Sequence, residues 1–355
     1  MRPLLLLLLA GCAPAFGADR IAGGPFVVNV GPKTATIVWV VQTDALTLMP
    51  KVGPARISPS LHVEKTTVTG LQPNTRYEFE AGMSDAGKGS FKTPPTGNEP
   101  YQFVVFGDTR SRHDIHRKVV DAIVKHGTPD FVVHTGDLVS DGSDSALWPI
   151  FFDIERQLLR NTAFYPALGN HERNSREFYD YFQVGPAFYS FNWGNSHISV
   201  INSDLGNGAT STAARETFWA EQTRWLEEDL AKNQKADFRF VVAHHPPFTA
   251  VSTRQAGNKE MTALVPLFEK YKVSAGFFGH DHNYQHHLKN GIHYIITGGG
   301  GAPLYDVAKP DPAITKLVMS TEHFVGIAVE GKVARIEAIG LDGSVIEKIE
   351  INAAK

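Results

Sequence analysis

The chain has 355 residues, 42% apolar and 20% charged, the make-up of an ordinary globular protein long enough for two domains. A net charge of -3 provides no strong field for nucleic acid or an anionic membrane. Cys12 is the single cysteine, which excludes an internal disulfide framework and a thiolate zinc site; a metal would need oxygen and imidazole donors, and there are 15 histidines.

In chain order, Met1-Arg2-Pro3 gives a positively charged start, and residues 4–9 form a leucine core far too short to cross a bilayer. Leu9-Ala10-Gly11-Cys12 follows and resembles the bacterial lipobox, in which the cysteine becomes the lipidated first residue of the mature protein. The alternative for residues 1–18 is an ordinary signal cleaved after Ala15 or Ala18. Either reading predicts export, to the periplasm or cell surface, and the first adds a lipid anchor at Cys12. No other stretch approaches the roughly 18 apolar residues of a transmembrane helix.

Residues 19–97 read as short strands without helical periodicity. VVNVGPKTATIVWVVQ gives two strands about a Gly31-Pro32 turn, with Trp39 as a core anchor. A later strand pair carries Tyr77 and Phe79 after the turn Gln72-Pro73-Asn74-Thr75, and GKGSFKTPP closes the segment. This spacing implies a small β-sandwich. With Trp39 early, LQPNTRYEFE late and Thr93-Pro94-Pro95 at the end, the segment resembles a fibronectin type III domain. His62 reads as an exposed strand residue, and residues 94–98 as a stiff linker.

Residues 98–355 alternate apolar runs with helical stretches. YQFVVFGD ends in Asp108, and a helix with Ile115, Val119, Ala122 and Ile123 on one face follows. FVVHTGD ends in Asp137, with His134 inside the strand as a core residue; Asp141 and Asp144 follow in a solvated loop. After a helix over 148–159, AFYPALGNHE delivers Asn170 and His171. A hairpin turns at Gly194-Asn195 and ends at Ser203-Asp204. An amphipathic helix runs from Phe218, with Trp225 and Leu226 facing inward. FRFVVAHH then delivers His244 and His245; after a helix over 263–271, VSAGFFGHDH delivers His280 and His282. The glycine run 298–301 lacks the Lys-Ser/Thr of a nucleotide-binding loop, and three strands with turns at Glu330-Gly331 and Asp342-Gly343 close the chain.

Five Asp/Asn/His clusters at strand ends suggest one metal site assembled across a sheet, because ligands of open α/β sheets sit outside the carboxyl ends of strands. Carboxylate, amide oxygen and imidazole suit iron, manganese, zinc and cobalt. Two such ions side by side serve an in-line displacement at phosphorus.

The order GD, GD, GNHE, HH, GHDH resembles the calcineurin-like metallophosphoesterases, and GNHE, GHDHNY and the leading fibronectin-like segment resemble their purple acid phosphatase branch. The resemblance implies an α/β (α+β) fold, a two-sheet αββα sandwich preceded by the small all-β sandwich. It implies two divalent or trivalent metal ions (Fe, Mn, Zn or Co), with Asp137 bridging, Asp108 and His282 on the first metal, and Asn170, His244 and His280 on the second. His244 is preferred to His245 because the family's ligand stands two residues before the proline, here Pro246. His171 is implied as general acid for the leaving oxygen, and His245 either supports a ligand or faces substrate. Two departures fall at the first metal. Arg110 stands where many relatives have histidine, and Ser140 stands where the purple enzymes have tyrosine, so no purple colour is expected. Water, His113 or His116 could complete that site, or it could bind metal weakly; Arg110 could clamp phosphate or be a plain surface arginine. Gln285-His286-His287 replaces an arginine that relatives carry after the last motif, which leaves His286 and His287 either lining the pocket or in solvent. The resulting expectation is an exported two-metal phosphoesterase, favouring monoesters over diesters, in which a metal-activated hydroxide attacks phosphorus. Loops around 204–215 and 298–305 would shape the substrate choice. The alternative is a non-catalytic surface lipoprotein that binds phosphate or a partner through a degenerate metal site.

Overall fold

The computed structural model describes residues 4–5, 20–48, 57–80, 87–185, 188–204, 206, 211–254, 258–307 and 310–353. Cys12 and most of the leader lie outside the described residues, as do 205 and 207–210 of the loop expected to shape the pocket.

The N-terminal strands are β1 (Leu4–Leu5), β2 (Arg20–Val28), β3 (Thr34–Leu48), β4 (Ile57–Thr69), β5 (Arg76–Glu80) and β6 (Lys88–Lys92). Then come β7 (Tyr101–Phe106), α1 (His113–His126), β8 (Phe131–His134), α2 (Trp148–Leu159), β9 (Ala163–Pro166), α3 (Arg176–Phe182), and the hairpin β10 (Tyr189–Trp193) and β11 (Ser196–Val200). α4 (Thr212–Lys232), β12 (Phe238–Val242), α5 (Lys259–Lys270), β13 (Ala275–Phe278), β14 (Tyr284–Lys289) and β15 (Ile292–Thr297) follow. The chain closes with β16 (Thr315–Met319), β17 (His323–Glu330), β18 (Val333–Gly340) and β19 (Val345–Asn352).

Two large sheets face each other. The nine-stranded sheet has the order β19-β18-β17-β7-β8-β9-β2-β3-β4, and the seven-stranded sheet β10-β11-β12-β13-β15-β14-β16. β7, β8 and β9 are parallel, as are β11, β12, β13 and β15. These strands read as unbroken apolar runs because both their faces are covered. Inner faces meet in a core that includes Val105, Phe131, Phe240, Phe277, Ile295 and Ile327, with Phe103 and Phe131 stacked at 4.5 Å. On the outside of the first sheet, Phe106, Val132 and Phe164 pack with Val119 and Ile123 of α1, Phe152 and Leu158 of α2 and Phe182 of α3. On the outside of the second, Val241, Phe278 and Tyr294 pack with Leu226 and Leu230 of α4 and Met261 and Phe268 of α5. The layers are therefore αββα, as expected.

The N-terminal strands continue this architecture. β2, β3 and β4 form an antiparallel ribbon, and β2 joins β9 in parallel through Val27 and Ala163. Trp39, Tyr77, Phe79 and Phe91 belong to the same core as Phe103 and Phe131. Pro94 and Pro95, expected in a linker, are buried. β5 and β6 pair separately, with β1 added in parallel.

Two helices start earlier than periodicity alone indicates. The Asn258 side chain accepts the Met261 N–H at 3.0 Å, so α5 begins at Lys259, and Ser211 caps α4 through the Ala214 N–H at 3.2 Å.

Candidate metal centre

Each donor stands just beyond the carboxyl end of a parallel strand: Asp108 after β7, Asp137 after β8, Asn170 and His171 after β9, His244 and His245 after β12, His280 and His282 after β13. Asp108, Asp137 and His280 adopt left-handed backbone angles, φ 61°, 59° and 69°, which side-chain-bearing residues rarely take. Sharp turns of this kind cluster where function constrains the backbone. The glycine before Asn170 answers a close approach, since a Cβ on Gly169 would lie 2.3 Å from both the backbone nitrogen and Oδ1 of Asp137.

The His244 Nδ1–H donates to the Thr135 carbonyl at 2.9 Å, which leaves the Nε2 lone pair facing inward. That Nε2 lies 3.1 Å from Asn170 Oδ1, 3.4 Å from Asp137 Oδ1 and 3.3 Å from His280 Nδ1, and His280 Nδ1 is itself 3.1 Å from Asn170 Oδ1. Carbonyl, carboxylate and imidazole acceptors converge there, and a cation resolves such an arrangement. His282 repeats the device: Nδ1–H donates to the Pro303 carbonyl at 2.7 Å, and Nε2 lies 3.4 Å from Asp108 Oδ1. Donor atoms of Asp108, Asp137 and His244 all lie within 4.8 Å of one another, as do those of His244, His245 and His280. The structure thus brings together all six residues expected to hold metal, Asp108, Asp137, Asn170, His244, His280 and His282, and their oxygen and imidazole donors fit two adjacent cations.

Electrostatics differ from donor to donor. Burial opposes charge on Asp108, yet His282 and His244 hold its carboxyl below the ordinary range. Burial also opposes charge on His244, but Asp137 and Asp108 raise it. Burial, reinforced by Arg254 and the neighbouring histidines, pushes His245 and His280 well down, toward the neutral form in which imidazole binds a metal.

His171 donates its backbone N–H to Asp137 Oδ1 at 3.0 Å and its Nδ1–H to the Ser140 carbonyl at 2.8 Å. Its Nε2 stands 3.9 Å from Asp137 Oδ2 on a side chain 29% exposed, at the mouth of the centre. His245 is held by Ser203, with Nδ1 3.0 Å from Oγ. Arg110 Nε lies 3.5 Å from Asp137 Oδ2.

Sequence reasoning missed three supporting residues. Glu172, fully buried, collects the backbone N–H groups of Asp137, Gly169, Leu138 and Val139 at 2.8, 2.7, 2.7 and 3.3 Å, which fixes the Asp137 turn. Burial, with the Asp137 charge, pushes its carboxyl up to about 8. Arg254 donates to the His280 carbonyl at 2.7 Å and to Asp281 Oδ1 at 2.9 Å. Tyr305 stacks on the His282 ring at 4.2 Å, with Arg254 4.9 Å above it. GNHE contains Glu172 as a signal; for Arg254 and Tyr305 no local pattern exists.

Other histidines stand elsewhere. His116 does not complete the first site, because its Nε2 is 2.6 Å from the buried Glu155, and His113 is exposed at the start of α1. His286 and His287 neither line the pocket nor lie in solvent: both are buried in β14, His286 bonded to Glu347 at 2.9 Å and His287 to Thr315 at 2.9 Å. His134 is a core residue as expected, pushed down to about 3 by burial. Gly298 and Gly300 pack under the Asp108 turn, where a Cβ would lie 2.9 Å from Asp108 Oδ2 and 2.2 Å from the Gly107 carbonyl, respectively.

Comparison with known proteins agrees with this geometry. Residues 101–284 match the model of the calcineurin-like phosphoesterase family. An uncharacterized protein of Mycobacterium tuberculosis is 28% identical over 325 residues, covering 78% of this chain and 59% of its own length. A purple acid phosphatase of Glycine max is 24% identical over 280 residues, covering 70% and 58%. The chain thus spans under two thirds of the length of these relatives. Among solved structures, the purple acid phosphatase PPD1 from yellow lupin seeds superposes with a TM-score of 0.73 at 17% identity, over 95% of this chain and 74% of that one. The structure of PhoD gives 0.70 at 12% identity, over 96% and 90%.

Proposed function

Because the chain belongs to the calcineurin-like phosphoesterase family, we propose that it is an exported two-metal hydrolase of phosphate esters, with monoesters as the preferred substrate. The observation that carries this reading is the convergence of the Asp137, Asn170, His244 and His280 donors beside Asp108 and His282. Asp137 would be shared, Asp108 and His282 would complete one position, and Asn170, His244 and His280 the other. When bound, such ions supply a nucleophile at neutral pH and neutralise charge on the phosphoryl oxygens. Relatives named acid phosphatases support the choice of monoesters. The leader supports export, and Cys12 a lipid anchor. Residues 19–97 are read as a fibronectin type III-like segment whose ribbon β2–β4 is joined to the main sheet at β9.

His171 is placed to protonate the leaving oxygen through Nε2, because Ser140 holds its Nδ1–H and fixes the tautomer. His171→Ala is expected to lower turnover about 10²- to 10⁴-fold while metal content stays at the wild-type level. Parallel loss of both would make His171 a structural residue. Cys12→Ser is expected to move the protein from the membrane to the soluble fraction, and an unchanged membrane fraction would remove the anchor.

The direct test is hydrolysis of p-nitrophenyl phosphate beside bis-p-nitrophenyl phosphate by metal-stripped protein refilled with Mn, Zn, Fe or Co. Metal-dependent turnover, faster on the monoester, is expected. Absence of turnover with every metal would overturn the enzyme reading and favour the binding lipoprotein.

A further inference from the structure

Arg110 is the one guanidinium that reaches the Asp137 carboxylate among the described residues. Its Nε lies 3.5 Å from Asp137 Oδ2, and that nitrogen is buried without a hydrogen-bond partner. The other oxygen, Oδ1, faces His244 and accepts the His171 N–H. The two oxygens therefore meet different company. Oδ1 belongs with Asn170, His244 and His280, where no guanidinium intrudes. Oδ2 faces Arg110, which stands where the resemblance places a histidine of the first metal, and His171 Nε2 is 3.9 Å from the same oxygen. A guanidinium stays charged at every accessible pH, so it can leave a carboxylate only by moving. Among the described residues no side-chain hydrogen bond holds Arg110 beside this ion pair. Arg254, the other nearby guanidinium, is tied to Asp281 and the His280 carbonyl instead.

We propose that Arg110 competes with the first metal for Asp137 Oδ2, so that this position binds metal more weakly than the second. With a cation held at that position Arg110 would be turned away from Asp137, and its fork would then be free for the phosphoryl oxygens of the substrate. Arg110 thus couples occupancy of the loose metal position to capture of an anion. The inference rests on the two-metal reading and deepens it, by assigning unequal affinities to the two positions and a phosphate contact to this chain's own side chain.

The test uses the metal-stripped full-length protein, with Mn²⁺ binding followed by calorimetry and equilibrium dialysis, and inorganic phosphate as the anion probe. Wild type should bind one Mn²⁺ tightly and a second about ten- to a hundredfold more weakly. Arg110→Gln should strengthen the weaker site by a similar factor and leave the tight site unchanged, which also reports that the variant is folded. Phosphate binding to the metal-loaded Arg110→Gln protein should weaken. Arg110→Lys should restore the gap between the sites but not full phosphate affinity, because an ammonium lacks the fork. Equal affinities in wild type, superimposable isotherms for wild type and Arg110→Gln, or undiminished phosphate binding would overturn the inference while leaving the two-metal reading intact. A wild-type protein that binds no metal would overturn both.

Discussion

Asp137→Asn is expected to abolish hydrolysis of p-nitrophenyl phosphate and to strip metal from the protein in the same step. Asp137 is 2% exposed, and both its oxygens are in use: Oδ1 faces His244 and accepts the His171 N–H, and Oδ2 faces Arg110. Asparagine keeps the shape, so the sheet and its turns survive. It removes the charge, and its amide nitrogen must face a donor on one side. Removing one partner from a buried charged constellation costs about 3–5 kcal/mol, which corresponds to roughly two to nearly four orders of magnitude in rate or affinity. Metal content by plasma mass spectrometry should fall from about two ions per chain to one or none. Turnover and metal content at the wild-type level would remove Asp137 from the centre.

The second large effect is expected at a residue that touches no metal. Glu172→Ala leaves four buried backbone N–H groups, those of Asp137, Leu138, Val139 and Gly169, without their acceptor. Each buried donor left unmet costs about 1–3 kcal/mol, and relaxation of the turn recovers part of the sum. A fall in Tm of about 5–10 °C is expected, together with weaker metal binding because the Asp137 turn loses its brace. Glu172→Gln, which keeps one acceptor oxygen, should fall between alanine and wild type. Thermal melts with and without added Mn²⁺ separate the two effects. An alanine variant with wild-type melting and metal content would show that the turn holds its shape unaided.

The clusters of candidate donors could be read from sequence because each follows an apolar run that reads as a buried strand, and strand ends of a parallel array share one edge. Which member of each cluster would hold metal came from the family resemblance. What could not be read depends on pairings made across the fold. His116 finds Glu155 over 39 positions, and His286 finds Glu347 over 61. His244 follows an apolar run and stands two residues before Pro246, whereas the partners of His116 and His286 leave no local mark. Arg254 and Tyr305 come from connections whose course is set by packing. The hairpins β10–β11 and β17–β18–β19 were visible because antiparallel neighbours are joined by short turns. The parallel contact of β2 with β9 was not, since it spans more than a hundred residues and leaves no mark on either strand.

That contact bears on how the chain can be shortened. β9 lies between β8 and β2, and Phe26 of β2 stacks on Phe152 of α2 at 5.5 Å. A chain begun at residue 98 would carry every metal donor, yet it would present β9 as a raw edge, with unpaired amide and carbonyl groups beside an uncovered aromatic patch. Such edges recruit other edges. The shortened protein is accordingly expected to self-associate through that strand, and light scattering of both chains would check it.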